Sequence, residues 1–586
     1  MGERLTRQVI ESSFRTHDGV ELFYRYAPTL SATPRGAVVM FHRGHEHSAR
    51  MMHLVDELAL DDFSFFAWDA RGHGRSPGER GYSPSFGTSV RDVQTFMDHI
   101  NATHAIASAD IAVIAQSVGA VVVSTWLHDY APKIRCAVLT SPAFKVKLYV
   151  PFARTGLRLM QKLRGNFFVM SYVKPKFLTH DPVRIASYAA DPLISRPISV
   201  NILLGLYDAA DRIVADAQAI TTPIQLLISG KDWVVHHAPQ HAFFERLGAT
   251  IKEKHVLPDF MHDTLGERDR AVALVHIKRF INERFAVAPQ PPNLLNAHQH
   301  GFTKIESDQL AQPLAALSPR GLYWAAMRAN MKLGGMLSEG VKLGHDTGFD
   351  SGSTLDYVYR NTPTSKTAIG RAVDKTYLDS IGWRGIRVRK THVEELLREA
   401  MRRVRATGQP VHVMDIAAGH GRYILEALTA DIAKPDSILL RDYSDLNVRD
   451  GSALIRAKQL EGIARFIKAD AFDRDDIAAT TPRPTVVVVS GLYELFPDNA
   501  MLQTSLAGIA QAVPKGGTIV YTGQPWHPQL ELIARSLTSH RAGAAWVMRR
   551  RTQAEMDQLV EAAGFRKVTQ RIDEFGIFTV SLAERQ

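Results

Sequence analysis

The chain has 586 residues, which is too long for a single hydrophobic core, so two large domains are expected. Its 45% hydrophobic and 22% charged residues are typical of a globular protein, and no apolar run is long enough to span a bilayer. The single cysteine, Cys136, excludes an internal disulfide and a cysteine-rich metal site, while the formal net charge of +10 predicts attraction to polyanions such as nucleic acid or an anionic membrane face.

The sequence also bears on the cellular compartment of the protein and on whether it binds a metal. Residues 1–6 and the polar residues after them do not have the pattern of a secretory signal, and a lone cysteine suits a reducing compartment. We therefore expect a cytoplasmic protein, with peripheral contact at the inner face of the membrane. None of the histidines falls in H-E-x-x-H spacing, so no metal is assigned.

Two apolar segments near the amino terminus are typical of buried strands. The first, residues 37–41, leads into H-R-G-H-E-H-S, which begins at His42. The second, residues 63–68, leads into D-A-R-G-H-G-R-S-P-G, which begins at Asp69.

A third strand ends in an abrupt turn. The stretch 110–127, DIAVIAQSVGAVVVSTWL, predicts a buried strand from Ile111 to Ala115, a turn at Ser117 and a helix that opens at Gly119. A serine on so sharp a turn is typical of a nucleophile elbow, because the turn strains the serine backbone and lifts its Oγ clear of the sheet. The usual pattern is G-x-S-x-G; here alanine takes the first glycine position, which needs a small residue. A serine in such a turn can also be a simple turn residue or cap.

An acid and a histidine follow two later predicted strands. Asp232 comes after residues 224–228, and His262 comes after residues 255–257. The resulting chain order, serine then aspartate then histidine, is that of the α/β-hydrolases.

Residues 14–285 resemble the serine hydrolases that include monoacylglycerol lipase and lysophospholipases, and the motif D-x-R-G-H-G-x-S-x-G at residues 69–78 is specific to that group. The resemblance implies a nucleophile, a general base and an orienting acid at Ser117, His262 and Asp232. The physical chemistry agrees, because a serine hydroxyl is inert at neutral pH until an imidazole takes its proton, and a buried carboxylate fixes the imidazole tautomer.

The resemblance also implies an oxyanion hole formed by the backbone N–H groups of Val118 and Arg43. The family usually has glycine at the position of Arg43, so this residue is a departure. Its guanidinium is expected either to favour a substrate with an anionic headgroup or to point into solvent.

Residues 141–220 fill the place where α/β-hydrolases carry a cap between the sixth and seventh strands. Basic residues fall at intervals that put them on one helical face: Lys147, Arg154, Arg158 and Lys162. Apolar residues line another face: Tyr149, Phe152, Leu159 and Leu163. A basic amphipathic cap predicts a lid that touches an anionic lipid surface; a helix that covers its own core, with solvated cations outside, is the alternative.

The predicted hydrolase domain, residues 1–285, closes with a helix over 270–285. The proline-rich stretch 286–300 is predicted to be a linker. Residues 301–400 are predicted to be a mainly helical extension with a glycine-rich interruption at 334–352. The extension could serve as a lid, a dimer surface or a spacer, and the sequence predicts neither its role nor the oligomeric state.

A new alternation of strands and helices starts at Gly408, in the domain predicted over 401–586. A buried strand over 411–416 runs into a tight glycine turn and then a helix, which lets a ligand approach backbone N–H groups at a helix N-terminus. The next two strands end at Asp442 and Asp470. An acid after the second strand is placed to hold ribose hydroxyls in nucleotide-binding folds.

NAD is the obvious rival ligand, but Ile424 occupies the third glycine position of G-x-G-x-x-G. Residues 385–583 instead resemble the class I S-adenosylmethionine methyltransferases, whose pattern D/E-x-G-x-G-x-G appears here from Asp415 with Ala417 at the first glycine. The resemblance implies that the cofactor is held at its methionine end by Asp415, Gly419 and Gly421, at its ribose by Asp442, and at its adenine amine by Asp470 beside Ala471.

The methyl acceptor is less well defined by the sequence. Methyl transfer is an in-line displacement, so the enzyme mainly positions the acceptor and can remove a proton from it. Tyr493, Glu494 and His527 follow later strands and could assist on the acceptor side, or each could be structural.

We therefore predict an α/β protein, an α/β-hydrolase fold with a helical cap followed by a Rossmann-like class I methyltransferase domain. The leading interpretation is a bifunctional ester hydrolase and S-adenosylmethionine-dependent methyltransferase that acts on lipid or fatty-acyl substrates. A nucleic-acid methyltransferase with a non-catalytic hydrolase-fold module is the alternative, and a methyltransferase fold that only senses the cofactor is a third. The complete triad and the lack of an RRM or KH signature argue against a nucleic-acid partner.

Overall fold

The computed structural model describes residues 7–147, 152–428, 433–541 and 543–586. Tyr149 of the predicted cap face and residues 1–6 lie outside the described residues. The chain divides into unit 1, Met1–Pro292, and unit 2, Asn293–Gln586, so the boundary falls inside the predicted linker. Within the described ranges, no helix has both the length and the apolar character needed to cross a bilayer.

Unit 1 is organised around an eight-stranded sheet whose spatial order is β1-β2-β4-β3-β5-β6-β9-β10, with a separate two-stranded sheet, β7-β8. The strands are β1 (Ile10–Arg15), β2 (Glu21–Ala27), β3 (Gly36–Phe41), β4 (Phe63–Trp68), β5 (Ile111–Gln116), β6 (Cys136–Thr140), β7 (Phe168–Met170), β8 (Pro197–Ser199), β9 (Ile224–Ser229) and β10 (Lys252–Leu257). The six strands from β4 to β10 in the sheet order run parallel, and β2 pairs antiparallel with both β1 and β4. The central strands are continuous apolar runs, as expected for strands buried on both faces.

Eight helices accompany this sheet in the described part of unit 1. They are α1 (His53–Glu57), α2 (Phe86–His104), α3 (Val118–Tyr130), α4 (Ala153–Arg164), α5 (Pro182–Ala190), α6 (Val200–Ala215), α7 (His237–Arg246) and α8 (Ala271–Ala286). One core cluster packs β3–β6 against α1 and α8. Helices α4, α5 and α6 lie within residues 141–220, the predicted cap.

Unit 2 contains a seven-stranded sheet in the order β13-β12-β11-β14-β15-β17-β16. The strands are β11 (His412–Ile416), β12 (Ser437–Asp442), β13 (Ala464–Lys468), β14 (Val486–Val489), β15 (Thr518–Gly523), β16 (Phe565–Ile572) and β17 (Thr579–Arg585). All neighbours are parallel except β17, which is antiparallel to β15 and β16. The strand order reverses between β11 and β14, which is where ligands bind in open α/β sheets.

The helices of unit 2 fall into two groups. Those that precede the sheet are α9 (Ala297–His300), α10 (Phe302–Ala311), α11 (Pro319–Leu337), α12 (Glu339–Thr347), α13 (Gly352–Arg360), α14 (Ala368–Leu378) and α15 (Ile381–Ala406). Those that alternate with its strands are α16 (Arg422–Glu426), α17 (Asp445–Ala457), α18 (Arg474–Ala478), α19 (Asn499–Ala512), α20 (Leu530–Ser536) and α21 (Gln553–Ala562). Helix α15 packs on the sheet through an apolar face.

The glycine-rich stretch 334–352 is helical for most of its length, so the predicted interruption shrinks to the residues between α12 and α13. The glycines of α12 serve close packing rather than a chain break. A Cβ on Gly340 would lie 2.5 Å from a ring carbon of Tyr357, and one on Gly344 would lie 2.4 Å from a ring carbon of Phe349.

Candidate active sites

Ser117 stands on the sharp turn between β5 and α3. Its backbone has φ 55° and ψ −115°, a region that residues with a Cβ rarely occupy. Gly119 follows two residues later, and a Cβ there would lie only 2.4 Å from the carbonyl oxygen of His42. The second glycine of the motif is therefore required by the approach of α3 to the end of β3, and the serine carries the strain expected of an elbow.

Three predicted residues meet at this turn. The Ser117 Oγ lies 2.7 Å from His262 Nε2, and His262 Nδ1 lies 2.8 Å from Asp232 Oδ2. All three side chains are buried. The other carboxylate oxygen of Asp232 accepts hydrogen bonds from the backbone N–H groups of Val234 and Val235, at 2.7 and 3.0 Å. Burial alone would raise the pKa of Asp232, but the His262 imidazole and these N–H groups hold it below its ordinary value.

The family motif at residues 69–78 shapes the neighbouring loops. The Asp69 carboxylate accepts from the backbone N–H groups of Ser48 and Arg75, at 2.6 and 2.7 Å. The His42 ring accepts from the Ala70 N–H at 3.0 Å. These bonds join the loops that follow β3 and β4, so the motif positions the loop that carries Arg43.

The Arg43 side chain is buried, which contradicts the expectation that it points into solvent. The guanidinium is buried and donates to both carboxylate oxygens of Glu46, at 2.7 and 2.8 Å, and it also lies 3.6 Å from Asp263. It does not point into solvent, and it shares Glu46 with Arg50, whose Nε donates to the same carboxylate at 2.6 Å. The backbone N–H assignments for Arg43 and Val118 stay predictions; Val118 begins α3, so its N–H has no acceptor within the helix.

The orientation of α4 differs from the predicted one. Arg154 forms ion pairs with Asp208 and Asp211 of α6, and Arg158 also pairs with Asp208. The basic face was predicted to turn toward a lipid surface, but for these two arginines it turns toward α6, whose acids attract it. Lys147 donates to the backbone carbonyl of Asp232 at 2.6 Å.

The opposite face of α4 is apolar and exposed. Phe152, Leu159 and Leu163 are 88%, 59% and 76% exposed. Helix α4 has no buried residue. An exposed apolar face of this kind is a feature of surfaces that contact another apolar phase.

Unit 2 has a cavity of about 960 Å³ at the carboxyl ends of β11, β12 and β13, which we call the cofactor cavity. Six of the predicted cofactor residues border it: Ala417, Gly419, Gly421, Asp442, Asp470 and Ala471. Gly419 and Gly421 have φ of 58° and 69°, and a Cβ on Gly421 would lie 2.4 Å from Leu440 Cδ1. Gly421 is therefore required by the close packing of this turn against β12.

Asp442 holds this turn in place. Its carboxylate accepts from the Gly419 N–H at 2.9 Å, from the Ser444 N–H at 2.9 Å and from Asn447 Nδ2 at 3.0 Å. Asp470 lies farther along the border and accepts from the Phe472 N–H at 2.9 Å. Asp442 therefore combines a place on the cavity border with a structural role that the sequence did not indicate.

Asp415 and Tyr493, two of the predicted site residues, do not border the cofactor cavity. Asp415 is fully buried beneath the glycine turn and does not border the cofactor cavity, and burial raises the pKa of its carboxyl well above the ordinary value. Tyr493 is also buried; its hydroxyl donates to Ser505 at 3.0 Å, and burial raises its pKa. Asp415 nevertheless lies close to Tyr423 and Asp442, which do border that cavity.

The helical extension supplies part of the cofactor cavity, which the sequence did not predict. Residues between Asp346 and Tyr359 border it, and Gly352 lies against the glycine turn, 3.4 Å from a Cβ placed on Gly419. Asp356 accepts from Arg422 Nε at 2.6 Å, which ties α13 to α16. One sequence signal could have indicated a helix at this place. The Ser351 side chain accepts from the Thr354 N–H and so marks the start of α13.

A second cavity of unit 2 has a volume of about 660 Å³. Glu494 and His527, which were predicted to lie on the acceptor side, both border it. Gly491 and Leu495 border both cavities, so the two share a wall. We call the second one the apolar cavity, because most of its lining side chains are hydrophobic.

One group of potential metal ligands occurs in the part of the chain that the structure describes: His17, Asp18 and Asp92. Arg71 donates to both carboxylates, at 3.0 Å to Asp18 and 2.9 Å to Asp92. Its guanidinium is therefore already bonded to both acids and neutralises one of their two charges.

These observations define the class of the protein. Unit 1 has the sheet order and serine elbow of an α/β-hydrolase, and unit 2 has the seven-stranded sheet of a class I methyltransferase, so the predicted fold class is confirmed. A family model described as "Serine aminopeptidase, S33" matches residues 32–269, and one described as "Putative methyltransferase" matches residues 277–585. The second match spans more than half of the chain. The chain therefore belongs to that methyltransferase family, as a fusion with an α/β-hydrolase.

Known proteins resemble the chain over its whole length or over unit 1. It is 55% identical over 576 residues to "Uncharacterized protein YnbC" of Escherichia coli, which covers 98% of each chain. It is 25% identical over 278 residues to the monoacylglycerol lipase of Mycolicibacterium smegmatis, which covers 46% of this chain and 96% of the lipase. The crystal structure of Paleococcus ferrophilus monoacylglycerol lipase aligns with a TM-score of 0.40 and 21% identity over 47% of this chain and 99% of that one.

Proposed function

We propose that unit 1 is a serine ester hydrolase with a Ser117–His262–Asp232 triad. The observation that carries this proposal is the unbroken hydrogen-bonded line from Ser117 Oγ through His262 to the Asp232 carboxylate, on a strained elbow. In the proposed reaction His262 Nε2 takes the Ser117 proton as Oγ attacks the ester carbonyl, and then gives it to the departing alcohol. A water molecule, deprotonated by the same imidazole, releases the acyl group.

Stabilisation of the oxyanion is assigned to the backbone N–H groups of Val118 and Arg43. Such donors act because they are already oriented when charge develops on the carbonyl oxygen. The buried ion pair between Arg43 and Glu46 fixes this loop, so the arginine would contribute through its backbone and not through its charge.

The substrate class we propose is a lipid ester such as a monoacylglycerol or lysophospholipid. Similarity to monoacylglycerol lipases supports this choice. The exposed apolar face of α4, formed by Phe152, Leu159 and Leu163, supports docking at a lipid surface, where those side chains would leave water. In this proposal the membrane contact is mainly apolar, in contrast to the basic contact expected from the sequence.

For unit 2 we propose an S-adenosylmethionine-dependent methyltransferase. The left-handed glycine turn borders the cofactor cavity and carries no side chain at Gly419 or Gly421, so a ligand can approach its backbone closely. Gly419 and Gly421 would hold the methionine end and Asp442 the ribose, with Asp470 and Ala471 beside the adenine. When bound, this cofactor supplies an electrophilic methyl group on a sulfonium; the chain's own task is to hold it and to exclude water.

A fluorophosphonate probe and a calorimetric titration test the two halves of this proposal. The probe should label the wild type and the control Ser13→Ala, whose serine is exposed on β1, but not Ser117→Ala. Because the triad members act as a unit, Ser117→Ala should also lower esterase turnover on the order of a million-fold. S-adenosylmethionine should bind all three proteins. Persistent labelling of Ser117→Ala contradicts the hydrolase assignment, and binding of NAD in place of S-adenosylmethionine contradicts the methyltransferase assignment.

A further inference from the structure

The apolar cavity of unit 2 is formed largely by the helical extension, for which the sequence indicates no role. Helices α11, α14 and α15 face α20 and the end of the sheet across it. Six of its hydrophobic lining residues show its character: Leu337, Val341, Trp383, Ile386, Ile533 and Phe578. Its volume of about 660 Å³ lies within the range of small-molecule pockets, roughly 300–1,000 Å³.

Several polar side chains also border this cavity, and one of them, Arg389, lies against Gly491. The buried ones are Arg389, Glu494, Gln524, His527 and Asp350. Gly491 is needed there, because a Cβ on it would lie 2.9 Å from Arg389 Nη2 and its φ is 76°. Since Gly491 also borders the cofactor cavity, Arg389 lies where the two cavities share a wall.

Two of these side chains have donors without acceptors. In the described part of the chain, the buried Arg389 Nε and Gln524 Nε2 make no hydrogen bond. Buried donors are nearly always paired in native proteins, because an unpaired one costs about 1–3 kcal/mol. Both side chains border the apolar cavity, so a ligand there would supply the missing acceptors.

His527 adds a third donor. The Gln529 backbone N–H donates to its Nδ1 at 3.0 Å, so the ring proton of the neutral imidazole is on Nε2. Burial lowers the pKa of His527 to about 4, which keeps the ring neutral at physiological pH. The Nε2 atom borders the cavity, where it lies 3.2 Å from the position of a Cβ on Gly382. His527 thus presents an N–H and not a base.

Glu494 is an acceptor in this group. Its Oε1 accepts from Thr522 Oγ1 at 2.7 Å and lies 3.7 Å from Arg389 Nη1, while its Oε2 has no hydrogen-bond partner among the described residues. It offsets the charge of Arg389 in part. Three donors against one free acceptor favour a ligand headgroup that accepts hydrogen bonds over one that donates them.

We propose that the apolar cavity binds the methyl acceptor and that this acceptor is a long-chain fatty acid, its carboxylate among Arg389, Gln524 and His527 and its chain between the helices of the extension. This inference rests on the proposed methyltransferase function and names its substrate class. It also gives residues 301–400 a role, as the wall of the acceptor site.

The chemistry balances without a general base. One carboxylate oxygen forms the new bond to the methyl carbon, the methyl–sulfur bond breaks, and its electron pair stays on sulfur. The carboxylate is already ionised, so no proton has to be removed, which agrees with the donor character of His527. The product is a fatty acid methyl ester. The class of reaction that supplies such an acid is ester hydrolysis, which is the reaction proposed for unit 1.

Tryptophan fluorescence tests the acceptor site directly. Trp383 and Trp546 border the apolar cavity, with ring centroids 6.5 Å apart. A nitroxide-labelled stearic acid should quench the full-length protein saturably, and the corresponding labelled alcohol should bind at least ten-fold more weakly. Arg389→Gln should weaken the acid at least ten-fold. The control Arg384→Gln, on the same helix but exposed and near Glu574, should not.

Any binding of the labelled acid to unit 1 does not depend on Arg389. The test therefore compares the affinity of Arg389→Gln for the acid with that of Arg384→Gln. Gln524→Leu provides a second test that removes one donor with little change of volume, and calorimetry with S-adenosylmethionine reports whether each variant is folded. Labelled methyl esters should form from stearate and labelled S-adenosylmethionine in the wild type, and should be reduced in both variants.

The outcomes separate this inference from the function on which it rests. If the wild type binds S-adenosylmethionine but its binding of the acid does not depend on Arg389, the proposed acceptor site is wrong and the methyltransferase function stands. Binding of the alcohol as tightly as the acid overturns the carboxylate assignment. Wild type that binds no S-adenosylmethionine overturns the methyltransferase function and the acceptor together.

Discussion

Replacement of Asp232 by asparagine is the most informative change to the proposed triad, because the surrounding bonds fix how the amide must sit. Asp232 Oδ1 accepts from the N–H groups of Val234 and Val235, so the amide oxygen of the introduced asparagine has to take that place. The amide NH2 then faces His262 Nδ1 and donates to it. The imidazole proton is forced onto Nε2, and His262 can no longer accept the proton of Ser117.

The expected cost follows from loss of the general base with the site geometry kept. In a serine protease the equivalent change lowers turnover about 10⁴-fold, which corresponds to roughly 5.4 kcal/mol of transition-state stabilisation. Hydrolysis of a short soluble ester should therefore fall by about that factor in Asp232→Asn, with the circular dichroism spectrum unchanged. The control Asp259→Asn alters an exposed aspartate that pairs with Lys231, and should retain wild-type turnover. Activity within ten-fold of wild type in Asp232→Asn would refute this account of the triad.

Two further changes test the cofactor cavity and the cap. Asp442→Ala removes a charge-assisted hydrogen bond to the cofactor worth roughly 1.5–3 kcal/mol, so calorimetry should show about a ten- to hundred-fold loss of S-adenosylmethionine affinity with esterase activity kept. A parallel loss of esterase activity would mean that the units are coupled. Leu159→Ser with Leu163→Ser should weaken sedimentation with phospholipid vesicles and spare hydrolysis of a short soluble ester, because each leucine contributes up to about 1.5–3 kcal/mol when it leaves water. Unchanged vesicle binding in that double variant would exclude the apolar face of α4 as the docking surface.

The features of unit 1 that the sequence predicts well are those set by local backbone chemistry. The elbow at Ser117 is recognisable because only a small residue fits at Gly119 and because a buried strand must precede the turn. Asp232 and His262 follow strand ends, and the carboxyl ends of parallel strands meet at one edge of a sheet. Local pattern and topology together were enough to bring these residues into contact.

The ion pairs that orient the charged side chains of unit 1 could not be predicted from the sequence. The partner of Arg43 is Glu46, only three residues away, yet whether a loop arginine turns inward depends on the burial of the whole loop. The basic face of α4 is likewise explained by Asp208 and Asp211 on α6, about fifty residues later in the chain. Helical spacing identifies the two faces of α4 but not which one meets the protein.

In unit 2 the glycine turn and the acid that ends β12 were predictable because both belong to a local strand–turn–helix pattern. The orientation of Asp415 and Tyr493 was not, since a strand or turn side chain can point to either side of its layer. The apolar cavity could not be inferred from pattern either. Its walls come from helices and strand ends separated by about 250 residues, and its apolar residues look the same in sequence as those of an ordinary core.

The central claim is that one chain carries a reactive serine site and a separate S-adenosylmethionine site. Calorimetric titration of S-adenosylmethionine into protein that a fluorophosphonate has labelled to completion at Ser117 tests both at once. We expect one adduct per chain, on the peptide that contains Ser117, and one equivalent of S-adenosylmethionine bound with the affinity of the unlabelled protein. A labelled protein that no longer binds the cofactor, or a chain that takes up no label at Ser117, would contradict it.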